Sequence, residues 1–407
     1  MFSLFYNLTL LLFALAMLPK LLWRKKNIKA RLGLKLPSLT PAQEVIWLHA
    51  VSMGETRAII PLYRKLRKTY PESAIVISTT TETGHAEAKR SMPDASAHFL
   101  LPLDFSWTIR RFMAHLKPTR LILCESDFWY NLLTIANKRG VRIDLVNGKV
   151  SERSCNRFRK IPFFTRRLFA NFEHLCVQSQ RYSDRFLSMG IPQEKIFVTG
   201  NLKFDSPTKK MDPAEREALM QTLGITPTDR VLVIGSTHAP EEDLILSALS
   251  QIPNLKIILV PRHPERFDEV AALFQQKKID FRRLSEPQNH NPRVILIDAM
   301  GKLNQCYQIA DIALVAGSFT PHVGGHNIIE PIVFGVPVLF GPYMHSQPDL
   351  EELVLTAKAG RRVTLEELPK TLLELLENPT SYIEACHRLT QSIQGATERT
   401  LKKVIED

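Results

Sequence analysis

Two glutamates stand where short apolar runs give way to polar residues. Glu55 closes the run Trp47-Leu48-His49-Ala50-Val51-Ser52-Met53-Gly54-Glu55. Gly54 permits close backbone approach, and a helical pattern starts near Glu55. The carboxylate therefore fits two roles: general base toward a hydroxyl, or a helix N-terminal carboxylate complementing the dipole. Glu125 directly follows the run Arg120–Cys124. Asp127, two residues on, reads as a helix cap, which weights function toward Glu125. Lys203, in Gly200-Asn201-Leu202-Lys203-Phe204-Asp205, suits either stabilisation of charge on a phosphate or acidic group, or a solvated surface. Ser151-Glu152-Arg153-Ser154 reads either as part of a site for an acidic acceptor or as an ordinary helix start.

A second group lies further along. Arg262 follows the run Leu255–Val260 and offers a planar fork for paired phosphate or carboxylate oxygens. Gly317-Ser318-Phe319 precedes Gly324-Gly325-His326-Asn327-Ile328-Ile329-Glu330-Pro331. Glycines ahead of a helix start leave amides able to bind a phosphate, and Glu330 suits ribose hydroxyls. His322 and His326 stand four apart, but the glycines between them disfavour the helix that chelation needs. With no DxD-like acidic pair in a loop to bridge a divalent ion to nucleotide phosphates, neither a metal nor another cofactor is expected. A Walker A loop and a GxGxxG fingerprint are also missing, which removes the main support for ATPase or dehydrogenase readings.

These residues need strand ends to position them. β-Branched runs at Val45–Val51, Ala74–Ser78, Arg120–Cys124, Arg142–Val146, His174–Gln178 and Ile196–Thr199 alternate with helical patterns. A second series follows at Val231–Ile234, Leu255–Val260, Val294–Ile297, Ile312–Val315 and Pro337–Phe340. This rhythm predicts an α/β chain with two Rossmann-like domains facing a cleft, and ligands outside the carboxyl ends of the strands. The expected boundaries are 1–26 for a membrane anchor with a basic flank, 27–205 for the first domain, 206–229 for a proline-bearing linker and 230–407 for the second domain. A length of 407 residues agrees with two domains.

Leu4–Leu18 is almost wholly apolar and is followed by Pro19, Lys20 and Arg24-Lys25-Lys26. This reads as an N-terminal membrane-anchor helix with the body on the cytoplasmic side. A net charge of +12 points to an anionic partner, and 44% apolar with 23% charged residues excludes both a disordered and a polytopic chain. Five scattered cysteines without CxxC spacing exclude a disulfide framework or a zinc site.

Together these segments resemble the 3-deoxy-D-manno-octulosonic acid (Kdo) transferases, a GT-B glycosyltransferase family. The resemblance rests on the N-terminal anchor, Trp47–Glu55, Glu125–Trp129, Ser151–Ser154, Gly200–Asp205, Pro261–Phe267 and Gly324–Pro331. It implies transfer of Kdo from CMP-Kdo to a lipid A precursor at the bacterial inner membrane, without metal and with inversion. Glu55 would be the proton acceptor, and Glu125 and Lys203 the transition-state stabilisers. CMP would be bound by Pro261, Arg262, Met300, Gly301, Lys302, Asn327, Ile328, Ile329 and Glu330. The partners expected are CMP-Kdo, the lipid A precursor and an anionic membrane surface, with no nucleic acid. Tyr130, Gly148-Lys149 and Lys302 depart from the usual family pattern. A soluble UDP-sugar 2-epimerase would share the architecture but needs neither anchor nor basic surface. A non-enzymatic membrane scaffold would leave Glu55 and Glu125 without a task.

Overall fold

The β-branched runs pair into parallel strands buried on both faces, as their near-continuous apolar character requires. The computed structural model describes residues 6–12, 28–40, 42–205, 209–252 and 254–405. It divides into two compact units, Met1–Pro207 with Ile393–Asp407, and Thr208–Ser392.

The first unit holds Val45–Ala50 (β1), Ala74–Thr79 (β2), Ala97–Leu100 (β3), Arg120–Cys124 (β4), Arg142–Gly148 (β5), His174–Val177 (β6) and Ile196–Val198 (β7). They form a seven-stranded parallel sheet in the order β3-β2-β1-β4-β5-β6-β7. Strand order reverses between β1 and β4, and a crevice opens at the carboxyl ends of such a pair. Side chains alternate across the sheet. Trp47, Val76 and Leu121 pack on one face with Phe112 and Leu133, while Ile46, Leu48 and Ile122 pack on the other with Ile59 and Leu62.

The second unit holds Arg230–Thr237 (β8), Leu255–Pro261 (β9), Phe281–Arg283 (β10), Val294–Leu296 (β11), Ile312–Val315 (β12), Val338–Phe340 (β13) and Gly360–Arg362 (β14). Their order is β10-β11-β9-β8-β12-β13-β14, all parallel, with the reversal between β8 and β12.

Three features differ from the sequence reading. First, β3, β10 and β14 were not expected. All three are edge strands of three or four residues, and β10 and β14 carry paired arginines, the charged, short form that edges favour. Second, the proline-bearing stretch 206–229 contains a helix, Pro213–Leu223. Pro213 sits at its first turn and Asp212 with Glu215 forms a reciprocal capping box, so the proline starts the helix rather than breaking it. Third, the last helix, Ala396–Ile405, belongs to the first unit, not to the second as the 230–407 boundary had it. Leu401 and Val404 join the apolar cluster of β1 and β4, and Arg120 donates to the Val404 carbonyl (2.6 Å). Asp205 caps this helix from a distant part of the chain, accepting from the Gly395 and Thr397 amides.

Most of the expected anchor, residues 1–5 and 13–26, lies outside the described residues. Residues 6–12 are helical. Tyr6 donates to the Asp104 carboxylate (2.9 Å), and Asn7 accepts from the Ser106 amide (3.0 Å) and the Asn131 side chain (3.1 Å). The polar residues interrupting the apolar run therefore tie it to the first unit, while Leu8, Leu11 and Leu12 stay exposed. Among the described residues, no helix is long and apolar enough to cross a membrane.

Asp205→Ala should lower the stability of the full chain by about 0.5–2 kcal/mol, the usual range for losing a cap. Urea denaturation measures it, and an unchanged midpoint would show that the last helix holds its place without the cap.

Candidate functional site

In the first unit the carboxyl ends of β1 and β4 carry the two expected glutamates. Ser52 caps the helix Met53–Thr69, and Glu55 lies in its first turn. Glu55 Oε2 accepts from the Val51 amide (2.8 Å), while Oε1 has a longer contact with the Ser52 hydroxyl (3.4 Å). The helix-terminal reading is thus correct as geometry, and it leaves Oε1 weakly engaged. Burial raises the Glu55 carboxyl above its ordinary range, the Val51 amide only partly opposing it, with Glu125 and Asp127 adding to the rise.

Glu125 is buried and sits at φ +65°, the left-handed region that disfavours side chains. Lys203 Nζ lies 2.9 Å from its Oε1 and Lys149 Nζ 2.5 Å from its Oε2. Burial alone would raise this carboxyl, but Lys203 and Lys149 together outweigh it and hold Glu125 below its ordinary value. Asn147 is left-handed too, at φ +52°. Its side chain donates to Glu125 Oε1 (3.4 Å) and accepts from the Leu202 amide (3.0 Å), linking the carboxylate to the short helix Leu202–Asp205 that carries Lys203. Strain of this kind gathers at working sites.

Asp127 does not cap the next helix. It accepts from His49 Nε2 (2.8 Å) and the Trp129 indole (2.6 Å), and the other His49 nitrogen meets the Ser78 hydroxyl (2.8 Å). The helix Tyr130–Lys138 is capped instead by Asp104, which accepts from the Asn131 and Leu132 amides. Sequence reasoning missed Asn147 and Asp104. It quoted Lys149 without assigning it a role, although a lysine three residues past the apolar run Arg142–Val146, and directly after β5 in the structure, was a readable sign.

In the second unit, β8 and β12 flank the reversal. Glu241 is fully buried and accepts from the amides of Gly317 (2.7 Å), Phe319 (2.9 Å) and His238 (3.0 Å), clasping the loops after both strands. His238 and His326 stack with their Nε2 atoms 2.8 Å apart. Burial, then the charges of His238 and Arg262, pushes His326 down to about 4, so the pair is neutral at pH 7 and shares a hydrogen bond. A Cβ on Gly317 would lie 2.5 Å from the His326 ring, so only glycine fits there. Arg262, exposed after Pro261 at the end of β9, influences His238, His326 and Glu330 electrostatically. Burial raises Glu330, with Asn327 (3.4 Å) and Arg262 opposing.

The glycine loop differs from expectation in one respect. The helix after it, Ile329–Ile332, has only four residues, and the Gly325 amide donates to the Gly317 carbonyl. Its dipole is therefore slight, and the cation that acts on this loop's side chains is the exposed Arg262. Met300, Gly301 and Lys302 occupy the turn after β11, with Met300 exposed. Among the described residues, no group of three or more His, Cys, Asp or Glu side chains could hold a metal ion.

A family model described as 3-Deoxy-D-manno-octulosonic-acid transferase (kdotransferase) matches residues 26–206. A 3-deoxy-D-manno-octulosonic acid transferase of Chlamydophila psittaci is 34% identical over 396 residues, covering 94% of this chain and 91% of its own. Among solved structures, the UDP-GlcNAc 2-epimerase from Neisseria meningitidis aligns with a TM-score of 0.63 over 90% of this chain and 100% of its own, at 14% identity. A glycosyltransferase from Rickettsia africae aligns at 0.61 over 88% and 96%, at 15% identity. These last two are likenesses of fold alone.

Lys203→Met should destabilise the chain at neutral pH by on the order of 1 kcal/mol, a modest figure because Lys203 is partly exposed and Lys149 remains. Glu125 has a depressed folded pKa, so its stabilising contribution is full above the ordinary carboxylate value and fades as pH falls through the folded value. The gap between variant and wild type in urea midpoint should therefore shrink on acidification through that window. A pH-independent gap would show that Lys203 acts by packing and not by charge.

Proposed function

Because the chain belongs to the Kdo transferase family, and is therefore a glycosyltransferase, we propose that it moves Kdo from CMP-Kdo to the lipid A precursor in lipopolysaccharide synthesis. The observation that carries the mechanism is Glu55, an elevated carboxyl with one weakly engaged oxygen beside the reversal of the first sheet. An elevated pKa makes a stronger base of the ionised form. Glu55 takes the proton of the acceptor hydroxyl while that oxygen attacks the anomeric carbon of Kdo. The bond to CMP breaks, CMP leaves with the electron pair on its phosphate, and the configuration inverts. Glu125 and Lys203 stabilise the charge that shifts during this displacement. On the donor side Arg262 meets the phosphate and Glu330 the ribose hydroxyls, with Pro261, Met300, Gly301, Lys302, Asn327, Ile328 and Ile329 completing the CMP site. No step calls for a metal or another cofactor.

We further propose that the chain works on the cytoplasmic face of the bacterial inner membrane. Leu8, Leu11 and Leu12 are exposed on the segment that Tyr6 and Asn7 tie to the first unit, and the sequence continues into Arg24-Lys25-Lys26. Apolar side chains followed by cations suit an anionic lipid surface. The epimerase alternative is supported by fold alone.

Purified protein incubated with CMP-Kdo and lipid A precursor in the presence of a chelator should raise the lipid mass by whole Kdo units and release CMP. Glu55→Ala should slow this by about 10²–10⁴-fold, the usual worth of a general base. The wild-type kcat/KM should climb with pH through the raised Glu55 pKa, since only the ionised form accepts a proton. A folded protein that transfers nothing would sink the assignment, whereas undiminished transfer by Glu55→Ala would keep the function and discard the base.

A further inference from the structure

Within the second unit, the helix Glu241–Ala248 opens on three acids, and each goes to a different place. Asp243 meets the exposed Lys277 (3.0 Å). Glu241 clasps the loops after β8 and β12. Glu242 is fully buried, and its Oε1 accepts from Nη2 of Arg266 (3.0 Å), the first residue of the helix Arg266–Gln276. An acid that merely complemented the helix dipole would keep its carboxylate partly in water, as Asp243 does. We propose that Glu242 is a positioning residue for the donor phosphate: through Arg266 it fixes the loop Arg262–Glu265, and with it the direction of Arg262.

Arg262 to Glu265 are all exposed, so the loop takes its shape from its two ends. At the entry, the Arg262 amide donates to the Thr237 carbonyl (3.2 Å) at the end of β8. Two local turns follow, from the Arg266 amide to the His263 carbonyl (3.0 Å) and from the Phe267 amide to the Pro264 carbonyl (3.1 Å). At the exit, the Arg266 guanidinium is gripped by Glu242 and by Glu269 (2.6 Å). Glu269 belongs to Arg266's own helix and moves with it, whereas Glu242 ties the loop to a different element. That element is fixed, because Ile245, Leu246 and Leu249 sit in the apolar core with Leu232 of β8, Leu259 of β9 and Leu314 of β12. Adjacent glutamates therefore register three loops to one body: Glu241 through amides those after β8 and β12, and Glu242 through a guanidinium the one after β9.

Stability alone does not call for this pair. A buried ion pair is often no more stable than apolar side chains of similar size, because desolvation cancels the Coulombic gain. Its satisfaction is also incomplete, since Glu242 Oε2 and Arg266 Nε are buried without a hydrogen-bond partner in the protein. What the charges add, and apolar packing does not, is direction, because the planar fork of an arginine meets a carboxylate in a narrow set of geometries. The inference deepens the donor-site reading and rests on it for the contact between Arg262 and phosphate.

Glu242→Leu and Arg266→Met, made together in the full chain, separate placement from stability. The swap replaces the pair by apolar side chains of comparable size, so the urea midpoint should hold or rise. Ligand-observed NMR titrations with CMP and with cytidine, which lacks the phosphate, should show wild type preferring CMP. In the double variant CMP should bind about tenfold more weakly, roughly the worth of one hydrogen bond to a charged group, with cytidine unchanged. In turnover KM for CMP-Kdo should rise by a similar factor and KM for the lipid acceptor should not move. Glu242→Gln, which keeps the shape and removes the charge, should show the same loss of preference, so the answer does not hang on one variant. Arg262→Met should lose the preference as well, and adding the double swap to it should weaken CMP no further, because both act through one side chain. Folded Glu242 variants that keep the wild-type preference would overturn the positioning role and leave the donor reading intact. Additive losses would overturn it too, by routing Glu242 through some other contact. If Arg262→Met itself keeps the preference, the phosphate role of Arg262 fails and the inference falls with it.

Discussion

Glu125 is a charged carboxylate in a buried position, and left unpaired such a charge costs several kcal/mol. Much of the first unit follows from the need to neutralise it. Lys203 must be brought to within hydrogen-bonding distance, which requires the turn Leu202–Asp205 to be fixed. Asn147 fixes one end through the Leu202 amide, at the expense of a left-handed backbone in β5. The other end is fixed by Asp205, which caps the last helix of the chain. That helix buries Leu401 and Val404 under β1 and β4, the same two strands that present Glu55 and Glu125. The chain's return to its first unit is therefore coupled to the placement of a single lysine.

The second unit solves a parallel problem by different means. Its reversal between β8 and β12 also holds a buried carboxylate, Glu241, yet no cation meets it there. Three backbone amides do so instead. Such bonds oppose the rise in pKa that burial causes without adding charge, and they lock two loops to each other. The result is a loop pair with fixed backbone, with the exposed Arg262 supplied separately from the end of β9. Under the proposed transfer, binding and release of a phosphorylated leaving group would gain from this division, because the amides that lock the loops add no positive charge to retain the product.

How much of this was readable from the sequence depends on whether the signal is local. Strands buried on both faces announce themselves as β-branched runs, so the sheet centres were legible. The edges β3, β10 and β14 were not, since three or four residues, with paired arginines in β10 and β14, carry no period. Glu125 and Lys203 were legible as chemistry, but their pairing joins residues 78 positions apart, which no local pattern encodes. Asp104 and Asp205 cap helices from other segments, so neither shows the Asp-x-x-Glu signature that marked Pro213–Leu223 so plainly. The last helix is amphipathic, and amphipathicity states that a face is buried without stating where. Chain order then misassigned it.

Glu55 shows why the two readings of a residue need not compete. As a helix-terminal carboxylate it bonds the Val51 amide, and that bond fixes the direction of the carboxyl group. The dipole and the amide by themselves would make it a weaker base. Burial, with Glu125 and Asp127 nearby, reverses that sign and leaves the carboxyl raised. The base proposed for Glu55 would need both properties, since orientation without basicity would hold a spectator and basicity without orientation would scatter the oxygen away from its proton. In this fold the cap supplies the first and the buried acidic neighbourhood the second, so that Glu125, kept ionised by its lysines, tunes Glu55 at the neighbouring strand end.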